Sequence, residues 1–227
     1  MTHSTDKDNP FLNAEYVHEL EELYIRNPAK ARVFCDGEWG VDAEGLVITN
    51  WKSEEFDPMA LAAAGLEHRV GMDLGWIDKS AIIDSLYDRE NRIIYVFNEF
   101  YKSGCQLSEL VEAIEKMNLK KSKIYVDAAE PRSIQYFKNA VACAKCNNRV
   151  KEVLMFLQDN LIIVHPSCQN FITELENFSY IKSKVTGEWT EDTTHEWSHA
   201  IDACRYGYSD IYTNTKLKTL SKSALNL

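Results

Sequence analysis

An α/β fold follows from three features of this sequence. Beyond about residue 66, runs with strand-like and helical periodicity alternate along the chain. Two of the apolar runs, RVGMDLGW and SKIYVDAA, carry an aspartate, Asp73 and Asp127, where a buried strand would place another aliphatic residue. A long amphipathic segment near the C-terminus then sets polar residues on one helical face.

The elements can be justified in order. From Asn13 to Tyr24, Tyr16, Val17, Leu20, Leu23 and Tyr24 recur at helical spacing behind Asn13 as N-cap, and NPAKARVF suggests a short second helix. GEWGVDAEGLVI reads as a glycine-punctuated loop entering an extended segment, so residues 1–66 form a helical lead-in. HRVGMDLGW, SAIIDSLYD and RIIYVFNEFY are three strands, and the turn signal DREN between the last two makes an antiparallel meander. LSELVEAIEKM is a helix capped by Ser103 or Ser108, and SKIYVDAA is a short buried strand. A helix starts with Pro131 at its first position, followed by a helix at VKEVLMFLQ, a strand at LIIVHP and a helix at CQNFITELENFSY. YIKSKVTGEWTED, with Thr186-Gly187 between alternating residues, is a β-hairpin. THEWSHAIDACRYGYSDIY is the last long helix, and residues 213–227 form a frayed tail. The main domain spans residues 67–212.

Composition narrows the class. The 227 residues are 45% hydrophobic, enough for one sizeable core, and no run approaches the roughly 20 apolar residues needed to span a bilayer. The polar start MTHSTDKDNP is unlike a secretory signal, so an intracellular protein without membrane contact is expected. A formal charge of −10 argues against a generally basic nucleic-acid binder, although bound cations or a local basic patch would reverse the sign at one site. Six scattered cysteines point to reduced thiols. Cys143 and Cys146 form a C-x-x-C pair without the further ligands of a structural zinc site, so the pair is expected to be dispensable for folding.

The carboxylates suggest a constellation. An ionised aspartate at a strand end is costly to desolvate unless it is paired, hydrogen-bonded or bound to a metal. Adjacent strands hold side chains about 5 Å apart, close enough for two carboxylates to share a divalent cation. In the last helix His195, His199, Asp202 and Tyr206 fall on one face, and Asp202, between Ile201 and Ala203, is the natural third ligand. Oxygen donors of this kind suit Mg²⁺ or Mn²⁺. Asp78 and Glu130 are candidate outer contacts, each with a structural alternative as loop former or helix cap. His199 is expected to face the site without ligating metal. If the three aspartates crowd together, removing one charge should leave the metal-free protein equally or more stable.

The motifs DNPFL, GEWG, GMDLG, IYVDAAEPRSI, VKEVLMFLQ, IIVHPSC, ELENFSY, TGEWTED and HAIDACRYG occur in an order that resembles the C-terminal nuclease half of the large terminase subunits of tailed bacteriophages. The resemblance covers about Asp8 to Tyr208. It implies a ribonuclease H-like fold, a central mixed β-sheet flanked by helices with a β-hairpin insertion. It also implies a metal-dependent endonuclease that cuts double-stranded DNA with two divalent ions, Mg²⁺ or Mn²⁺, bound by Asp73, Asp127 and Asp202. The implied setting is DNA packaging in the cytoplasm of a bacterial host, with the portal protein and small terminase subunit as partners.

The chain departs from that pattern in two places. No G-x-x-x-x-G-K-[ST] phosphate loop occurs, so the expectation is a nuclease domain without its packaging ATPase, excised or a prophage remnant. ACAKCNNR carries two cysteines where the family has a basic, glycine-containing stretch, yet Lys145 and Arg149 retain positive charge there. These two, with Lys182 and Lys184 on the hairpin, are candidate DNA contacts. The competing expectations are another ribonuclease H-like nuclease, of the junction-resolvase or RNA-cleaving kind, and a non-catalytic DNA- or portal-binding remnant.

Overall fold

Strand pairing puts the two polar strand ends side by side. The computed structural model describes residues 45–75, 77–127, 131–143, 149–183 and 185–211, together with Leu12 and Val17. The helices expected before residue 45 and the C-terminal tail lie outside the described residues.

The elements run β1 (Trp51–Ser53), α1 (Pro58–Ala63), β2 (Glu67–Asp73), β3 (Lys79–Asp88), β4 (Ile93–Ser103), α2 (Leu107–Lys116), β5 (Ile124–Val126) and α3 (Pro131–Tyr136). They continue with β6 (Ala140–Ala142), α4 (Arg149–Asp159), β7 (Leu161–Val164), α5 (Gln169–Asn177), β8 (Tyr180–Lys182), β9 (Trp189–Thr193) and α6 (His199–Gly207). Seven strands form one mixed sheet in the order β1-β7-β4-β3-β2-β5-β6, and β8 pairs with β9 as the expected hairpin. The meander β2-β3-β4 is antiparallel, while β2, β5 and β6 run parallel, as do β4, β7 and β1.

Each face of the sheet is covered by its own helices. On one face, Ala81, Ile83 and Ile94 pack with Val153 and Leu157 of α4, Phe171 and Leu175 of α5, and Ala200, Ile201 and Ala203 of α6. On the other, Val70, Met72, Ile82 and Ile124 pack with Leu110 and Ile114 of α2 and with Ile134 and Phe137 near α3. Val47 and Ile48 join the first of these cores, and β1 pairs with β7. The segment before residue 67 therefore supplies part of the same sheet and core.

Three local expectations need correction. Helix α2 is capped at Gln106, whose backbone N–H donates to Glu109 Oε2 at 2.9 Å, and Ser103 and Ser108 do not cap it. Helix α6 starts at His199, leaving His195 in the preceding bend. The reason lies on α5: the buried Glu174 carboxylate accepts from the N–H groups of Ala200 and Ile201 at 2.7 and 3.0 Å, supplying the terminal acceptor that no local side chain provides. Strand β6, only Ala140–Ala142, was not expected, because its residues carry little β-branched signal and it forms by pairing with β5.

Candidate metal and catalytic site

Register brings the first two aspartates together. Met72 pairs with Val126 across the parallel strands β2 and β5, so Asp73 and Asp127 each stand one step later at the same C-terminal edge. The third aspartate arrives on α6, which lies directly on β2. A Cβ on Gly71 would fall 1.8 Å from the Ala203 carbonyl oxygen, and one on Gly207 would meet the Gly71 nitrogen at 3.2 Å. These glycines permit the close contact that carries Asp202 to the acidic edge.

The Asp73 side chain is 17% exposed, and its Oδ2 lies 3.3 Å from Nδ1 of the buried His199. Burial raises its proton affinity, and repulsion from Asp202 adds to this, against the opposing influence of His199 and Arg205. His199 is raised as well, chiefly by its bond to Asp73, with the charges of Glu174 and Asp78 acting in the same direction. Tyr206 of α6 senses the charges of all three aspartates. Burial raises its hydroxyl pKa, the Arg205 guanidinium opposes this, and the negative charges of Asp202, Asp73 and Asp127 raise it further.

Arg205 also enters the site. Its Nε and Nη2 donate to Asp202 Oδ1 at 2.9 and 2.7 Å, and its side chain is 11% exposed. This i,i+3 pair balances the Asp202 charge within one helical turn. Among the described residues, no three His, Cys, Asp or Glu side chains form a group able to hold a metal ion. The donor chemistry nevertheless suits a hard cation: the charges of Asp73, Asp127 and Asp202 all act on Tyr206, and Asp73 carries a charge that burial and Asp202 both disfavour.

The other candidates are distributed as follows. His195 has its ring centroid 5.3 Å from that of His199, so the bend still leaves it beside the site. Asp78 is exposed in the loop between β2 and β3, where its carbonyl accepts from the Gly104 N–H at 3.3 Å. Lys182 lies on the hairpin with Nζ 4.3 Å from the Trp189 ring centroid. Glu130, Lys145, Lys184 and Cys146 lie outside the described residues, and Arg149 is described only as the first residue of α4. Cys143 is buried, accepts from Ser209 Oγ at 3.1 Å, and has a thiol pushed up to about 11 by burial. The cysteines within the described residues, Cys105, Cys143, Cys168 and Cys204, are free thiols.

Residues missed in the sequence include Glu174 and Tyr101. Glu174 accepts from Tyr101 Oη at 2.6 Å while it caps α6, so it fixes the start of the helix bearing His199 and Asp202. A signal existed: Phe171, Glu174, Leu175 and Phe178 form an otherwise apolar helical stripe.

Comparison with known structures agrees with the topology. The large terminase nuclease domain of bacteriophage SPP1, solved with bound Mn, superposes with a TM-score of 0.63 at 24% identity, covering 70% of this chain and 95% of that one. The large terminase of the thermophilic bacteriophage D6E gives a TM-score of 0.56 at 15% identity, covering 93% of this chain and 55% of that one. A seven-stranded mixed sheet under helices on both faces is here a ribonuclease H-like domain. The family model for the terminase RNAseH like domain matches residues 73–210, and this chain belongs to that family. A model for the phage terminase large subunit matches residues 1–38. The PBSX phage terminase large subunit of Bacillus subtilis strain 168 is 28% identical over 218 residues, and the terminase large subunit of Bacillus phage SPP1 is 28% identical over 226 residues. Each match covers 92% of this chain, which spans about half the length of those relatives.

Proposed function

We propose that this chain is the nuclease part of a phage or prophage DNA-packaging terminase and hydrolyses phosphodiester bonds of double-stranded DNA. The observation that carries the reading is the β2–β5 register, which sets Asp73 beside Asp127 under the helix bearing Asp202. Those three carboxylates would hold the metal, two Mg²⁺ or Mn²⁺ ions in this reading. When bound, such ions supply charge neutralisation at the phosphate and a more acidic attacking water. The chain's own groups position the donors: His199 orients Asp73, Glu174 fixes the start of α6, and Arg205 balances Asp202. The solved SPP1 nuclease domain with bound Mn supports this choice of metal. Lys182, Lys184, Lys145 and Arg149 are the proposed DNA contacts, Asp78 and Glu130 the proposed outer contacts, and a portal protein and small terminase subunit the proposed partners. The setting is the cytoplasm of the bacterial host. Among the described residues no helix is long and apolar enough to cross a membrane.

The test is plasmid nicking by the purified chain in Mg²⁺, Mn²⁺ or excess chelator. Cleavage is expected only with metal and with little sequence preference, Mn²⁺ serving at least as well as Mg²⁺ because Mg²⁺ demands stricter octahedral geometry. Full activity in chelator would overturn the metal chemistry. One observation favours a second reading, a non-catalytic DNA-binding remnant: Arg205 already occupies Asp202 Oδ1. DNA binding without cleavage in either metal would select it.

A further inference from the structure

A lysine stands at the acidic edge without a carboxylate partner among the described residues. Lys79 opens β3 two residues before Ala81, which pairs with Asp73 on one side and Tyr101 on the other. Side chains alternate along a strand and paired residues share a face, so Lys79, Ala81, Asp73 and Tyr101 all belong to the α6 face of the sheet. One strand spacing across and two residues along put Lys79 roughly 8 Å from Asp73.

Its surroundings hold the ammonium without neutralising it. Lys79 Nζ lies 5.5 Å from the Tyr101 ring centroid, 5.4 Å from that of Trp197, and 3.5 Å from the Glu196 carbonyl oxygen that accepts from it. Lys102 and Lys120, by contrast, are paired with Glu109 and Glu115. Aromatic faces orient a cation yet leave its charge available to an anion, whereas a carboxylate cancels it. Both rings are tied to the site. Tyr101 donates to Glu174, the cap of α6, and Trp197 lies two residues before His199, the partner of Asp73.

We propose that Lys79 binds a DNA backbone phosphate next to the one at the acidic strand ends, its ammonium set in place by Tyr101 and Trp197. This rests on the nuclease reading above and adds a residue that positions the strand being cut. A single cation placed this way offsets part of the repulsion between DNA and a carboxylate cluster, and it does so at the phosphates nearest the reaction.

The test uses a short DNA duplex bound to the full chain in chelator, followed by fluorescence anisotropy across a salt series, with wild type, Lys79→Gln and Lys79→Arg. Lys79→Gln should weaken binding about fivefold near 0.1 M salt and reduce the slope of log affinity against log salt by about 0.9, the value for one phosphate contact. It should also raise KM for nicking more than it lowers kcat, with an unchanged melting temperature. Lys79→Arg should restore the slope. A wild-type slope and affinity in Lys79→Gln, while the wild-type chain nicks DNA, would overturn the Lys79 assignment and leave the nuclease reading standing. A lowered melting temperature with no rescue by arginine would assign Lys79 a structural role and also overturn it. A wild-type chain that neither binds nor nicks DNA would overturn both.

Discussion

Two buried aspartates on the adjacent strands β2 and β3 each meet a histidine, on opposite faces of the sheet. On the α2 face, Asp84 of β3 bonds His68 of β2 at 2.6 Å; on the α6 face, Asp73 of β2 meets His199 at 3.3 Å. Burial raises the pKa of both carboxylates, so burial alone does not distinguish them. Their neighbours do. Asp84 has His68 and a backbone bond from Ser85 acting for its charged form, whereas Asp73 faces a second carboxylate, Asp202. A buried acid with a short, well-made partner is a structural feature. One with a long bond and a like charge beside it is poised for a cation.

The sharpest break of this comparison is catalytic. Asp73→Asn should lower nicking by ~100-fold or more, while Asp84→Asn, the same chemical change across the same strand pair, should stay within about twofold of the parental rate. Equal loss in both would trace the effect to the sheet and remove Asp73 from the reaction. Asp73→Asn should melt no lower than wild type in chelator, since it deletes a charge that burial and Asp202 disfavour, whereas Asp84→Asn weakens the short His68 bond and should melt at or slightly below wild type.

Asp202 breaks that symmetry, and here the structure reverses the expectation drawn from crowding alone. The Asp202 carboxylate pairs with the largely buried Arg205, so Asp202→Asn strands a guanidinium. A loss of about 1–3 kcal/mol is expected in thermal or urea unfolding, together with loss of cleavage. The double variant Asp202→Asn/Arg205→Gln should recover most of the stability and none of the cleavage. A single variant that melts at the wild-type temperature would mean that Arg205 finds other partners and that crowding dominates.

The contrast between local and distant signals also explains what the sequence made legible. Asp73 and Asp127 stood out because each interrupts an apolar run within a few residues, and Asp202 because helical spacing set it on the face of Tyr206. The meander, hairpin and strand–helix alternation were likewise written in short-range pattern. Arg205 was hidden because a basic residue in a helix's last turn is ordinary. Glu174 and Lys79 owe their roles to partners distant in sequence: backbone N–H groups of α6, and the rings of Tyr101 and Trp197. No local periodicity encodes a cap supplied by another helix, which is also why the start of α6 was misplaced by several residues.

The smallest expected effect is electrostatic and isolates the coupling between Asp73 and Asp202. A carboxyl whose folded pKa lies above its unfolded value favours the fold while protonated, and that contribution is lost as pH rises through the folded pKa. Asp73 and Asp84 both have this sign, so wild type carries a penalty from each that grows above roughly pH 4, where unfolded aspartate ionises. Each asparagine variant escapes one penalty. The difference in melting temperature between variant and wild type, measured in chelator, should therefore become more positive from pH 4 upward in both cases. Only at Asp73 does a neighbouring carboxylate contribute to the penalty. Repeating the series in an Asp202→Asn background should shrink the pH-dependent gain of Asp73→Asn and leave that of Asp84→Asn unchanged. A gain at Asp73 indifferent to Asp202 would mean that the two carboxylates do not sense each other in solution, and the acidic edge would lose its claim to gather a shared cation.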